Sequence, residues 1–415
     1  MDWKVLILVI VTIVSGYQLL LHFVQYRSAN NPTPDNVKDV FDEETYTRWK
    51  SYTAEKCRLQ MAGTVLTWVV TMVLLWLNAH AAVAGLFPAN IYVQLMAVLV
   101  FQTLVETVAG AITGYVDTMV IEQKYGFNRS TMKTFIMDQV RGFLIGAVLG
   151  IVLMSILAVL HQAMGDWMIL LFAGAVFCIG LLISFLYPIL SRMGNKFVPL
   201  EEGELKEKLT GLLTSHGYKV KAIEVMDASR RTTKSNAYFT GFGAMKTIVL
   251  YDNMLTSMTP DEICAVFAHE LGHGLHKDVL KQQIMNLGNM LIMAVMAWLV
   301  VREPALHQAF AFANVNYGFA FILLGSAALA LVQPLTGMLM SAYSRFAEYR
   351  ADRQAVKEGY GEALISALKK LSRDNFAHLA PSPVLVVLEY SHPPLSQRIA
   401  AIEKAMTGAA LEEGR

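Results

Sequence analysis

Seven long apolar stretches alternate with polar segments along the chain. They cover residues 5–24, 62–86, 91–115, 143–160, 167–190, 284–301 and 317–340. Most are close to the twenty residues with which a helix crosses a bilayer, and none contains lysine or arginine. The pattern predicts a mainly α membrane protein with seven transmembrane helices.

The polar segment 191–283 stands apart from this pattern. In it, an amphipathic helix near Leu205 is followed by the alternating stretch YKVKAIEVMD and by two further strands, SNAYFTGFG and KTIVLYDNM. These features are typical of a small α+β unit on the water side of the membrane. The predicted domains are residues 1–190 with spans one to five, 191–283 with the α+β segment, 284–340 with spans six and seven, and 341–415 with a C-terminal helical segment.

Composition supports the membrane interpretation. Apolar residues make up 55% of the chain, charged residues only 16%, and the mean hydropathy is +0.43, all far from a soluble domain. The net charge of +1 indicates no particular partner. We therefore expect contact with the lipid bilayer and no nucleic acid partner.

The basic residues predict how the chain is oriented. Of 34 lysines and arginines, 32 fall in alternate connecting segments and 2 in the others. Because basic loops stay in the cytoplasm, the N terminus is predicted outside and the C terminus and the polar segments inside. Residues 1–24 are read as an anchor rather than a cleaved signal peptide, since no small-residue cleavage site follows them.

Glu106 lies inside the third predicted span. An ionisable side chain at membrane depth faces protein or water rather than lipid, so it indicates a polar interior chamber or a hydrogen bond between helices. Both interpretations remain open from the sequence.

The stretch TPDEICAVFAHELGHGLH carries the chemistry. Thr259, Pro260 and Glu262 are suited to a helix start with a capping box. On that helix His269 and His273 share a face one turn apart and can reach one zinc ion. The adjacent Glu270 can then take a proton from water, which is the division of labour in metal-assisted peptide hydrolysis.

A catalytic zinc site needs a third protein ligand. In SAYSRFAEYRADRQ, Glu348 and Asp352 share a helix face, so Glu348 can bind zinc while Asp352 orients a ligand histidine. His276 is the rival. It is predicted to be too far from His269 along the helix for both to bind one ion, because two turns separate them.

Together these segments resemble the integral-membrane CAAX prenyl protease 1 family of zinc endopeptidases. In chain order, the resemblance rests on EQKYGFNRST, SNAYFTGFG, KTIVLYDN, HELGH, SRFAEYRAD and YSHPPLSQRI. It implies seven spans around a water-filled chamber and one Zn²⁺ per chain. It also implies zinc ligands at His269, His273 and Glu348, the catalytic base at Glu270, an orienting Asp352, substrate contacts at Asn236, Ala237 and Tyr238, and His392 and Arg398 near the scissile carbonyl.

Some features agree with these roles and others depart from the family. The two prolines of SHPP hold His392 stiffly before a helix that carries Arg398, although a surface-turn histidine is the simpler interpretation. Gly274 stands where many relatives have tryptophan, and Asp278 replaces a further histidine. The compact loop before the motif suggests a bacterial member in an inner membrane, with an endoplasmic reticulum membrane expected for a eukaryotic one.

The sequence therefore predicts a zinc-dependent membrane endopeptidase whose substrate is a peptide or membrane protein, prenylated or not. One alternative is a quality-control metalloprotease of the related heat-shock type. The other is a non-enzymatic chamber or chaperone in which zinc is a structural staple, which would require a closed shell of four ligands.

Overall fold

The structure is a computed structural model that describes residues 2–87, 90–128, 130–190, 192, 196–230, 237–240 and 245–413. It is mainly helical. The helices are α1 Trp3–Ser28, α2 Glu43–Trp76, α3 Ala79–Gly85, α4 Ile91–Tyr115, α5 Met132–Met164, α6 Met168–Leu190, α7 Glu204–Ser215, α8 Asp252–Ser257, α9 Pro260–Leu275, α10 Asp278–Val301, α11 Pro304–Gln308, α12 Tyr317–Leu323, α13 Leu329–Lys357, α14 Gly361–Asp374, α15 Pro383–Leu388 and α16 Leu395–Glu413. The strands are β1 Phe197–Pro199, β2 Lys219–Met226, β3 Ala237–Thr240 and β4 Met245–Tyr251.

Five helices in the described part of the chain are long and apolar enough to cross a membrane. They are Trp3–Ser28, Glu43–Trp76, Ile91–Glu122, Asp278–Val301 and Tyr317–Lys357. The third and fifth are longer than α4 and α13 because π-helical turns at Val116–Glu122 and Leu324–Ala328 extend them. Helices α5 and α6 cover the other two predicted stretches but are not among these five helices. The count of seven spans therefore stays a prediction.

The second span differs from its predicted bounds of 62–86. Helix α2 ends at Trp76, and Asn78 adopts a left-handed conformation with φ of 53° before α3 begins. The Lys4 ammonium donates hydrogen bonds of 2.9 Å to the Trp76 carbonyl and to Asn78 Oδ1. A cation at a helix C-terminus satisfies free carbonyls and the helix dipole, which explains the earlier end.

The chain divides into two compact units. The first unit comprises Met1–Tyr26, Ala54–Leu181 and Met285–Gly337, and the second comprises Arg27–Thr53, Leu182–Ile284 and Met338–Arg415. Each apolar stretch of the chain contributes mainly to the first unit, whereas His269, Glu270 and His273 lie in the second.

The first unit contains a cavity of about 900 Å³ whose lining includes Glu106. Gln102 Nε2 donates a 2.8 Å hydrogen bond to Glu106 Oε1, and His80 Nε2 lies 2.9 Å from Gln102 Oε1. His80 belongs to α3 and the other two side chains to α4. Both interpretations of Glu106 therefore have support, since it faces a cavity and ends a hydrogen-bonded chain between helices.

The second unit contains a four-stranded sheet in the order β1-β2-β4-β3. β2 and β4 are parallel, with Ile223 opposite Ile248, while β1 and β3 are antiparallel to their neighbours. Ile248 and Leu250 of β4 belong to the buried core together with Phe267 and Leu271 of α9. This packing fixes the motif helix against the centre of the sheet.

Helix α9 begins as the sequence predicts. Thr259 Oγ1 accepts a hydrogen bond from the Glu262 backbone, and Glu262 Oε2 accepts one of 2.7 Å from the Thr259 backbone. Glu262 also accepts hydrogen bonds from Ser366 and Lys370 of α14. Burial alone would raise the pKa of Glu262, but these bonds lower it below its ordinary value, so the carboxylate stays charged and ties α9 to α14.

Helices α9 and α13 approach closely at Gly272. A Cβ added there would lie 2.8 Å from the Ala351 Cα and 3.0 Å from the Gln354 Cβ. The first distance is to backbone and therefore cannot be relieved by a side-chain rotation. Glycine at this position lets the two helices meet.

We expect Gly272→Ala to push α9 and α13 apart. Overpacking a buried contact costs about 1 to 3 kcal/mol, which outweighs the small gain of alanine in a helix. The thermal unfolding midpoint should fall. Gly211→Ala in α7 is the matched control, because a Cβ there meets no atom within 4 Å. An unchanged midpoint for Gly272→Ala would show that the contact is not tight.

Candidate metal centre

Three potential metal ligands meet between α9 and α13. His269 and His273 place their Nε2 atoms 3.2 Å apart, and Glu348 brings its carboxylate oxygens within 3.5 Å of the first and 3.4 Å of the second. All three donor atoms lie within 4.8 Å of one another. His269 and Glu348 are buried and His273 is half-buried. The structure thus brings together the three ligands predicted from the sequence, and this group does not include His276.

The arrangement fits a zinc ion. Zinc bonds of about 2.0 to 2.1 Å in a tetrahedron separate neighbouring ligand atoms by about 3.3 Å. The two Nε2 atoms lie 3.2 Å apart, and those of His269 and His273 lie 3.5 Å from Glu348 Oε2 and 3.4 Å from Glu348 Oε1, respectively. Glu348 Oε2 is buried and accepts no hydrogen bond from the described residues, although Arg398 Nη1 lies 3.2 Å away. A buried carboxylate oxygen without such a donor suits a cation, and a set of three protein ligands leaves room for water.

His269 is held by Asp352. Its Nδ1–H donates a 2.8 Å hydrogen bond to Asp352 Oδ1, which leaves Nε2 with its lone pair toward the proposed metal position. Arg398 holds Asp352 in turn through Nε and Nη2, at 2.9 and 2.6 Å from the two carboxylate oxygens. Arg398 lines the site cavity, but these contacts and its approach to Glu348 occupy its guanidinium. The structure thus shows Arg398 holding Asp352, while its predicted place near the scissile carbonyl stays a prediction.

A residue without a site role in the sequence interpretation holds the other histidine. Asp278 Oδ2 accepts a 3.1 Å hydrogen bond from His273 Nδ1, while Tyr343 and Arg350 donate to Asp278 Oδ1. Lys277, with φ of 55°, turns the chain between α9 and α10 and brings Asp278 back to the motif. The sequence signal that could have identified Asp278 is an acidic residue just beyond the end of the motif helix α9.

The pKa of His273 reflects these carboxylates. Burial alone would lower it, but the hydrogen bonds to Glu348 and Asp278 raise it to about 9. The imidazole therefore carries a proton at neutral pH until a bound cation displaces it.

A cavity of about 160 Å³ opens beside these residues. Glu270 and His392 line it, together with Ala237, Met254, Val266, His269, Glu348, Leu364, Leu368, Leu371 and Arg398. His392 Nε2 lies 3.4 Å from Glu348 Oε1, and its Nδ1 is 2.9 Å from Ser391 Oγ. With 64% of its side chain exposed, His392 stands at the mouth of the cavity rather than in its floor.

The predicted substrate strand is described in part. Ala237 is buried on β3 and lines the site cavity. Tyr238 pairs with Val249 through the backbone, but its side chain lies outside the described residues. Asn236 also lies outside them.

Comparisons with known proteins assign the chain to a family. Residues 199–406 match the model of peptidase family M48, and residues 22–192 match the model described as CAAX prenyl protease N-terminal, five membrane helices. The chain is 30% identical to the CAAX prenyl protease 1 homolog of Oryza sativa subsp. japonica, over 94% of either chain. This protein belongs to the CAAX prenyl protease 1 family. It is therefore a metalloendopeptidase embedded in a membrane by several helices.

Other relatives agree over nearly the full length. CAAX prenyl protease 1 of Saccharomyces cerevisiae is 27% identical over 97% of this chain and 95% of its own. The crystal structure of S. mikatae Ste24p superposes with a TM-score of 0.88 at 24% identity, covering 97% of this chain and 99% of that one, which shows that the fold is shared. These relatives of the protease are eukaryotic, so they lend no support to the bacterial origin expected from the sequence.

We expect Glu348→Ala to abolish stoichiometric metal binding, because it removes one of three ligands and leaves Arg398 without that partner. His276→Ala is the control, since His276 lies outside the three-ligand group. Metal content of the purified proteins by mass spectrometry measures both. Full metal content in Glu348→Ala, or loss in His276→Ala, would mean that the ligand set is assigned wrongly.

Proposed function

We propose that the protein hydrolyses peptide bonds with one Zn²⁺ held by His269, His273 and Glu348. The observation that carries this proposal is the match between the spacing of their donor atoms and the ligand spacing of tetrahedral zinc. When bound, zinc polarises the substrate carbonyl and lowers the pKa of water. The remaining steps belong to side chains of this chain.

Glu270 is the proposed general base. It follows His269 directly on α9 and lines the same cavity, so its carboxylate faces the space beside the ligands without being one of them. Glu270 takes a proton from the attacking water as the water oxygen bonds to the peptide carbonyl carbon. It then delivers that proton to the amide nitrogen when the C–N bond breaks.

His392 is the proposed partner of the oxyanion that forms during attack. It is exposed at the cavity mouth, near Glu348, and its backbone is restrained by the two prolines that follow. A hydrogen bond from His392 to the developing charge stabilises the transition state more than the ground state. Arg398 supports the reaction through Asp352 and Glu348.

The substrate is proposed to bind as an extra strand beside β3. β3 is at one end of the sheet order, so one of its backbone edges has no strand partner among the described residues. An extended peptide can hydrogen-bond to such an edge. This places Asn236, Ala237 and Tyr238 beside the peptide, and Ala237 already lines the site cavity.

The names of the relatives favour prenylated CAAX peptides as substrates over the misfolded membrane proteins of a heat-shock type protease. The chaperone alternative needs a closed zinc shell, whereas three ligands are assembled here. A farnesylated CAAX peptide and its unprenylated counterpart distinguish the substrate classes directly.

We expect Glu270→Gln to keep its metal and its thermal stability but to lose cleavage by about a hundredfold to ten-thousandfold, the typical contribution of a general base. Glu207→Gln, an exposed carboxylate on α7, is the matched control and should cleave normally. Both peptides are assayed with wild type and variants side by side, with and without chelator.

Three results would count against the proposal. Cleavage by metal-replete Glu270→Gln would exclude this base, and chelator-resistant cleavage would exclude the metal. An inactive wild type across prenylated and unprenylated peptides would favour the chaperone alternative.

For the membrane arrangement, we propose seven spans around a chamber, with the N terminus outside and the α+β segment and C terminus in the cytoplasm. The 32-to-2 partition of basic residues supports this orientation. A reporter fused after Arg415 should report the cytoplasm, and one inserted near Asp166 the opposite side. Both reporters on one side would exclude seven spans.

A further inference from the structure

Helix α15 has an apolar face that is exposed in the second unit. Its sequence is PVLVVL; Leu385 and Val386 point inward and are buried, while Val384 and Val387 are 54% and 49% exposed. These two valines are three positions apart and therefore share one helix face.

In the second unit, exposed large apolar side chains of the described residues lie mostly on membrane-type helices. Outside α15, one such side chain among the described residues of the second unit is Val198 of β1. The others lie in candidate spans or in the apolar helix Met168–Leu182. They are Leu182, Val279, Leu280, Ile284, Leu339 and Phe346. α15 thus resembles the lipid-facing helices more than the water-facing surface.

Arg345 joins α15 to helix α13. Its Nη1 donates a 2.6 Å hydrogen bond to the Tyr390 carbonyl, and its Nη2 lies 3.4 Å from the Val387 carbonyl. A guanidinium at these carbonyls caps the C-terminal end of α15, where a cation also complements the helix dipole. The position of Arg345 along α13 therefore sets where the C-terminal end of α15 lies along the axis of α13.

The sequence predicts that Arg345 lies just beyond the hydrocarbon core. The apolar stretch of this span ends near residue 340, and Arg345 follows five positions later. At 1.5 Å per residue this is about 7.5 Å along the helix, roughly the depth of one polar headgroup layer. Phe346, with Arg350 5.3 Å from its ring centre, is the kind of aromatic and basic pair that occupies this layer.

We propose that α15 lies in the membrane interface, with Val384 and Val387 against the lipid acyl chains and the Arg345 cap at headgroup level. The occupant of this face is the bilayer in which the protein is already embedded. Because His392 follows the end of α15 by four positions, the bilayer also fixes the height of the loop that carries His392. A substrate held at the membrane surface would meet the cavity mouth at this level.

Spin labelling tests the proposal without requiring catalysis. Val384→Cys and Val387→Cys are labelled with a nitroxide in a Cys178→Ser background and reconstituted in phosphatidylcholine–phosphatidylglycerol vesicles. Cys57 and Cys264 are buried, and burial raises the pKa of Cys264 to about 11, so neither competes for the label. Val198→Cys is the water-exposed control, and Leu339→Cys, an exposed position within the apolar stretch of α13, is the lipid-facing control.

Collision of the label with oxygen, relative to a water-soluble nickel chelate, distinguishes the occupants. We expect this ratio at both valine positions to exceed that at Val198 several-fold and to approach that at Leu339. A ratio equal to the Val198 value would show that α15 faces water. Suppressed collisions with both reagents would show that protein, such as a second copy, covers it. If a cysteine variant is not produced, quenching of Val387→Trp by brominated lipid, compared with that of the six native tryptophans in the parent protein, distinguishes lipid from the other two occupants.

Discussion

The close approach of α9 and α13 is the contact on which the metal centre depends. α9 supplies two of the three potential ligands and the proposed base, and α13 supplies the third potential ligand and Asp352. A 3.2 to 3.5 Å spacing of donor atoms requires the two backbones to meet, and Gly272 against Ala351 permits this. The glycine inside the motif is therefore a packing requirement of the site rather than a turn.

Charge balance explains why Arg398 lies beside Glu348 and Asp352. Glu348, Asp352 and Arg398 are all buried, and taking isolated charges out of water costs far more than a fold can offset. The guanidinium neutralises one of the two carboxylates, which leaves one negative charge for a cation. Glu348 and Asp278 also raise the pKa of His273 to about 9, so a cation that binds here competes with a proton.

Each ligand histidine is oriented by a carboxylate from a different segment. Asp352 reaches His269 from α13, and Asp278 reaches His273 from the first residue of α10, at the end of a turn through Lys277. Both ligand and partner pairs lie in the second unit, together with the strand that lines the cavity. α10 and α13, which carry Asp278 and Glu348, belong to candidate spans, whereas α9 packs against the sheet.

The sequence by itself determined the elements whose signals are local. Apolar length predicted seven spans, and five candidate spans are found among the described helices. Thr259 and Glu262 predicted the start of α9, and one-turn spacing paired His269 with His273. It also proposed Glu348 and Asp352, since four-residue spacing places both on one helix face. The tertiary structure alone decided what depends on distant chain segments meeting: the end of α2 at Trp76, where Lys4 binds its carbonyl, and the contacts of Asp278 with His273 and of Arg398 with Asp352. The hydrophobic periodicity of the sequence does not predict such contacts, because packing brings together residues that are far apart in sequence.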